Sequence, residues 1–180
     1  YSSTYISATV GGQTLYGNQG RDSLTVFGAP QLTLAIAEEQ IVPGGVVTLD
    51  LTLAYNGNDA DSENKAQDIA FTVDLNAALG GLTASALPSG EICGAGSSLS
   101  GSSLLTFSGG LLPSGGQCSF AVQLQIPSDA SSGDITLTSS TVTGTASAES
   151  VSGRAASDTL SISISGLNLS KSFSSPVIAG

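Results

Sequence analysis

The stretch "VVTLDLTLAY", residues 46–55, decides the fold. Val47, Leu49, Leu51, Leu53 and Tyr55 alternate with Thr48, Asp50, Thr52 and Ala54. A period of two with one polar face specifies a half-buried β-strand. Pro43-Gly44-Gly45 supplies the turn that precedes it. The pattern recurs in "DIAFTVDL" (68–75), where Ile69, Phe71 and Val73 share a face. It is cleanest in "CSFAVQLQI" (118–126), with Cys118, Phe120, Val122, Leu124 and Ile126 on one side. "DITLTSSTV" (134–142) and "DTLSISISG" (158–166) obey the same rule through Ile135 and Leu137, then Leu160, Ile162 and Ile164.

Between these runs lie turn clusters: Gly80-Gly81, Pro88-Ser89-Gly90, Gly109-Gly110, Pro113 to Gly116, and Ser131 to Gly133. Strands of this length separated by such turns predict an all-β chain folded as an Ig-like antiparallel β-sandwich. Helical periodicity is not sustained over three turns anywhere. "AEEQ" and "SENKAQD" have room for one helical turn each.

Composition agrees. The chain has 180 residues, 40% of them hydrophobic, 10% charged, with 23 glycines. That is enough for one full core or slightly more. The net charge of −10, with only four Lys and Arg, disfavours nucleic acid and anionic membrane surfaces. No apolar run is long enough to insert in a membrane as a helix. The chain begins with Tyr1 and carries no signal-peptide pattern, as a mature product or an excerpt would.

Cys93 and Cys118 are the only cysteines, 25 positions apart. A disulfide, half a metal site and two free thiols all fit that spacing. A zinc site would need further ligands, and the chain has no His. The acidic, Lys-poor, Ser/Thr-rich background is that of secreted proteins, which favours the disulfide. Closing this loop stabilises by about 3 kcal/mol in the chain-entropy model.

An internal repeat sets the domain organisation. Ser2-Ser3-Thr4 matches Ser139-Ser140-Thr141, and Gly20-Arg21 falls near Gly153-Arg154. Asp22 to Val26 matches Asp158 to Ile162, Leu32 and Leu34 match Leu167 and Leu169, and Gly44 matches Gly180. The matches run in order and preserve strand alternation, as a tandem-repeat architecture requires. The expected division is 1–29 as the last strands of one unit, 30–165 as a complete unit, and 166–180 as the first strand of another. Leu167, Leu169, Phe173, Val177 and Ile178 would form that inter-repeat or inter-subunit strand. The connectors "GAP" (28–30) and "SGL" (165–167) are short, so successive units would sit end to end.

Three motifs carry a family resemblance: "LSKSFSSPVIAG" (169–180), "QIVPGGVVTLDLTL" (40–53), and the block from Ile92 to Pro127, which is similar to a Cys-Gly…Leu-x-x-Gly-x-Leu…Gly-x-x-Cys-x-Phe pattern. Together they resemble the bacterial cell-surface Ig-like repeats of the DUF11-type group. That resemblance implies tandem β-sandwiches in large secreted or surface-anchored proteins serving as stalks and adhesive fibres. Two departures stand out. Glu38-Glu39-Gln40 replaces the Phe-Ser-Pro core of the motif in the first copy, and "YNGNDADSENKAQD" (55–68) is longer than the usual Asn-rich turn.

The acidic stretch gathers Asp59, Asp61, Glu63 and Asp68. Alternating carboxylates on a loop can fold around calcium, which takes six to eight oxygens. The spacing is not that of an EF-hand, because Asn64 and Ala70 stand where Gly and Glu are needed. A solvated acidic loop is the competing reading. Glu38, Glu39, Asp22 and Asp158 near the joints pose the same choice.

Catalysis has little material. Without His, and without a Gly-x-Ser-x-Gly elbow, neither common base nor common nucleophile site is present. The expectation is a non-enzymatic, extracellular or cell-surface structural repeat of a fibre or adhesin, acting as a rigid extension module. Its partners would be neighbouring repeats. Two other readings are a filament subunit whose strands complete identical neighbours, and a ligand-binding adhesin module. No cofactor is expected beyond the calcium reading.

Overall fold

A computed structural model describes residues 5–19, 28–57 and 65–164. The chain order is β1 (Ser7–Val10), β2 (Gln13–Tyr16), β3 (Gln31–Ile36), β4 (Gln40–Ile41), β5 (Val46–Tyr55) and β6 (Lys65–Asp74). Then come α1 (Leu75–Ala78), β7 (Thr83–Ala86), β8 (Ser98–Ser100), β9 (Leu104–Pro113) and β10 (Gly116–Gln125). The last elements are β11 (Gly133–Thr138), β12 (Thr143–Ala146), β13 (Glu149–Ser152) and β14 (Ser157–Ile162).

Strands β3 to β14 form two layers. One sheet runs β3-β5-β10-β7. The other joins β4-β14-β11 to β12-β6-β9-β8, with β13 hairpinned onto β12. The join is a break in one long strand at Ser139-Ser140. Ser139 bridges Val73 of β6, and the Ser140 N–H donates to the Thr72 carbonyl at 2.8 Å. On the other side, the Ser139 N–H donates to the Ala156 carbonyl, and its Oγ accepts from the Ala156 N–H, both at 2.9 Å. Ser139 is buried, and these bonds satisfy the backbone where the strand shifts partners. The result is an Ig-like β-sandwich.

The alternating residues fill the space between the sheets. Val47, Leu49, Leu51, Leu53 and Tyr55 of β5 are all fully buried, and Val122 and Leu124 of β10 lie beside them. Phe107 of β9 stacks on Phe71 of β6 at 5.1 Å between ring centroids and on Phe120 of β10 at 5.5 Å. Since β6 and β9 belong to one sheet and β10 to the other, this triple stack ties the layers together.

Two local readings change. Gly109-Gly110 is not a turn but lies inside β9. Gly109 takes φ +73 beside a register shift between β6 and β9. A Cβ on Gly110 would come within 2.8 Å of the Phe107 ring, so the missing side chain makes room for it. The short helix sits at "LNAA" and not in "AEEQ" or "SENKAQD". Asp74 caps it by accepting the Ala77 N–H at 2.9 Å, while residues 65–68 are drawn into β6 by pairing with β9.

Within residues 30–162, the first and last strands share a direction. β14 pairs with β4 in parallel, Ser161 opposite Gln40 and Ile162 opposite Ile41. Upstream, the Ile36 N–H donates to Asp158 at 2.6 Å. The chain therefore runs up the sandwich along β3–β4 and runs the same way again along β14. Entry and exit lie at opposite ends, separated by the length of residues 30–41, about 40 Å of extended chain.

Candidate functional site at the entry joint

Residues Gly28-Ala29-Pro30 lead the chain into β3, and two glycines let them pass. A Cβ on Gly28 would lie 2.2 Å from the Asn56 carbonyl oxygen. A Cβ on Gly153, in the bend after β13, would lie 1.9 Å from the Pro30 carbonyl oxygen. Both neighbours are backbone atoms, so neither can swing aside; only glycine permits such approach. The Gly153 N–H also donates to the Val142 carbonyl at 2.7 Å. The connector is thus threaded between Asn56 on one side and Gly153 on the other. Ala29, Gln31, Leu32, Ser152, Gly153 and Arg154 line an open hollow of about 410 Å³ beside it.

Further along, the chain changes sheets between β3 and β4, leaving backbone donors to be satisfied. Carboxylates do this. Asp158 Oδ2 takes the Ile36 N–H and Oδ1 the Thr159 N–H at 2.9 Å, and Glu38 Oε2 takes the Thr48 N–H at 2.8 Å. Two of the acids considered as joint calcium ligands are therefore engaged in holding the strand crossover.

Cys93 and Cys118 form a disulfide with Cα atoms 5.6 Å apart. It links the loop before β8 to β10 in the opposite layer. The loop is also pinned to β9, where the Leu111 N–H donates to the Cys93 carbonyl at 2.8 Å. Ser97 Oγ accepts the Cys93 N–H and donates to the Gly94 carbonyl, each at 2.8 Å. The covalent link thus ties a loop with little strand structure of its own to the ten-residue strand β10.

Of the four calcium candidates, Asp59, Asp61 and Glu63 lie outside the described residues. Asp68 is exposed at the irregular start of β6, with φ 51. Among the described residues, no group of three or more His, Cys, Asp or Glu is arranged to hold a metal. Leu167, Leu169, Phe173, Val177 and Ile178 also lie outside the described residues. The glycine clamp at Gly28 and Gly153 escaped the sequence reading. Its one signal was a glycine at the end of an alternating run, which marks close backbone approach.

This chain belongs to the family described as a domain of unknown function, DUF7933, whose model matches residues 30–162. The match begins one residue before β3 and ends with the last residue of β14. The DUF11-type resemblance rests on the quoted motifs alone. No curated protein matches the chain. Among solved structures, it is similar to a variant of BcpA, the major pilin subunit of Bacillus cereus. That likeness has 12% identity and a TM-score of 0.50, over 89% of this chain and 48% of the pilin. The chain thus spans about half of that pilin's length. A Clostridium thermocellum OlpA cohesin in complex with a dockerin gives 10% identity and a TM-score of 0.48, over 73% of this chain and 98% of that one. The seventh ScaB cohesin of Pseudobacteroides cellulosolvens gives 15% and 0.46, over 79% and 98%.

Proposed function

We propose that the sandwich is a load-bearing spacer in a secreted or surface-anchored bacterial fibre, joined in series to sandwiches of its own kind. The observation that carries this reading is the parallel run of β4 and β14, which puts chain entry and exit at opposite ends. Tension applied there shears the two strands past each other. The Ser161 N–H to Glu39 carbonyl bond (3.2 Å) and the Ser163 N–H to Ile41 carbonyl bond (2.8 Å) then share the load instead of opening one at a time. The threaded connector adds support, since a joint held by backbone contact passes on length without slack. A disulfide suits an oxidising compartment outside the cytoplasm. The role is structural, with neighbouring modules as partners. It is in keeping with the shared fold of a pilin subunit, and the DUF11-type motifs point the same way.

Single-molecule stretching tests it. Pulled from its two ends, the sandwich is expected to unfold in one cooperative event at high force. Reduction should lengthen that event by roughly 90 Å, the contour of the 25-residue span between the cysteines. Gradual low-force extension, strand by strand, would remove the mechanical reading.

A further inference from the structure

The β1–β2 hairpin lies outside the sandwich, and its described residues are almost entirely exposed. Ile6 is 74% exposed, Val10 63% and Leu15 58%. Water-facing apolar residues at such density on a two-stranded hairpin call for a cover.

Another hairpin in the chain has the same geometry and is covered. Shifted by 136 positions, β1–β2 falls on β12–β13, residue for residue. Ser7 pairs with Tyr16 as Thr143 pairs with Ser152, and Val10 pairs with Gln13 as Ala146 pairs with Glu149. Both two-residue turns take positive φ throughout: Gly11 and Gly12 at 60 and 79, Ser147 and Ala148 at 50 and 65. Each hairpin closes with the same bond, the Gly17 N–H to the Ile6 carbonyl at 2.6 Å and the Gly153 N–H to the Val142 carbonyl at 2.7 Å. The sequence match of Asp22–Val26 to Asp158–Ile162 carries the same shift.

The environments differ. Val142 and Ala146 are fully buried, whereas their counterparts Ile6 and Val10 are open to water. β12 lies against β6, with Thr143 opposite Ala70 and Ala146 opposite Ala66; β1 pairs with β2 alone. Gly153 faces the Pro30 carbonyl of an entering strand, but a Cβ on Gly17 would meet only atoms of Ile6, at 3.4 Å and beyond. Within the sandwich of residues 30–162, β6 is already flanked by β12 and β9, so that body has no vacant edge there for the hairpin.

We infer that β1–β2 is the β12–β13 hairpin of a second sandwich of the same kind, and that this sandwich covers it by laying its β6-type strand antiparallel along β1. The partner is a sandwich whose sequence up to the β11 position continues into this chain, so that the β1–β2 hairpin fills its β12–β13 place. An intact second copy is excluded as the cover, because its β6 is flanked on both edges. The inference deepens the serial spacer reading by fixing where one unit ends: at Gly28-Ala29-Pro30, with the hairpin on the far side.

The test is a chain in which residues 28–138 precede residues 3–180, compared with the 180-residue chain by hydrogen exchange and thermal unfolding. In the 180-residue chain, amides of Ser7–Val10 exchange quickly, and Ile6→Asp leaves Tm unchanged. In the longer chain, those amides slow by 100-fold or more, a second cooperative unit appears, and Ile6→Asp abolishes that unit only. A milder variant transplants Ser7–Tyr16 in place of Thr143–Ser152 within the 180-residue chain, and retains cooperative unfolding. Three results would overturn the inference: protection of the hairpin in the monomeric 180-residue chain, protection there that grows with concentration, or fast exchange in the longer chain together with loss of cooperativity in the transplant. Stretching reads the spacer role separately, so a negative result here with high unfolding force refutes the inference and spares that role; low force with protected amides does the reverse.

Discussion

Replacing Gly153 by alanine probes the clamped joint directly. The added Cβ would start 1.9 Å from the Pro30 carbonyl oxygen, whereas such contacts essentially never fall below 3.0 Å, so the backbones must separate by about 1.1 Å. Overpacking of this kind costs about 1–3 kcal/mol. The displacement also strains the 2.7 Å bond from the Gly153 N–H to the Val142 carbonyl, costing about 1 kcal/mol more. The sum is about 2–4 kcal/mol. With about 2.1 cal/mol/K of unfolding entropy per residue over residues 30–162, Tm should fall by about 7–14 °C. Differential scanning calorimetry measures this. Gly17→Ala is the matched control, since its Cβ would find ordinary contacts at 3.4 and 3.7 Å and Tm should stay within about 1 °C. A Gly153→Ala protein that melts with the parent would refute the threading of the connector.

Reducing the Cys93–Cys118 bridge, which spans 25 residues, removes about 3.5 kcal/mol on the loop-entropy relation. Urea titration with and without reductant should show a midpoint drop of about 1–3 M, and coincident curves would contradict the stapling role. Burial pushes the Tyr55 phenol above its ordinary range. Its contribution is complete below the unfolded-state value near 10 and declines as pH rises through it, because only the unfolded chain then releases the proton easily. Stability should fall above pH 10, and Tyr55→Phe should flatten that fall; an unchanged slope would discount burial as the cause. Asp158→Ala leaves the Ile36 and Thr159 N–H groups without their acceptor. A loss of about 1–3 kcal/mol in chemical denaturation is expected, and none would mean that water replaces the carboxylate.

Much of the fold was legible because burial on one face writes itself as alternation. β5, β10 and β14 could be read from Val47 to Tyr55, from Cys118 to Leu124 and from Leu160 to Ile162. What escaped depends on contacts distant in sequence. Gly109-Gly110 has the composition of a turn, and only the Phe107 ring beside it explains why the strand continues. Ser139-Ser140 looked like a repeat marker, yet its hydroxyls sit where one strand passes from β14 to β6. The sequence match set Gly20-Arg21 near Gly153-Arg154, whereas the bond each hairpin shares sets Gly17 against Gly153. That Glu38 and Asp158 accept backbone N–H groups at the strand crossover was hidden too, because a sequence lists charges without their donors. Gly28 closes an alternating run, but neither it nor Gly153 shows in sequence which carbonyl oxygen it accommodates.

The fit of Gly28 against Asn56 and of Gly153 against Pro30 fixes the line along which the chain enters the sandwich. Enlarging either glycine would push that segment off its track, and the chain would then meet the sandwich at no set angle.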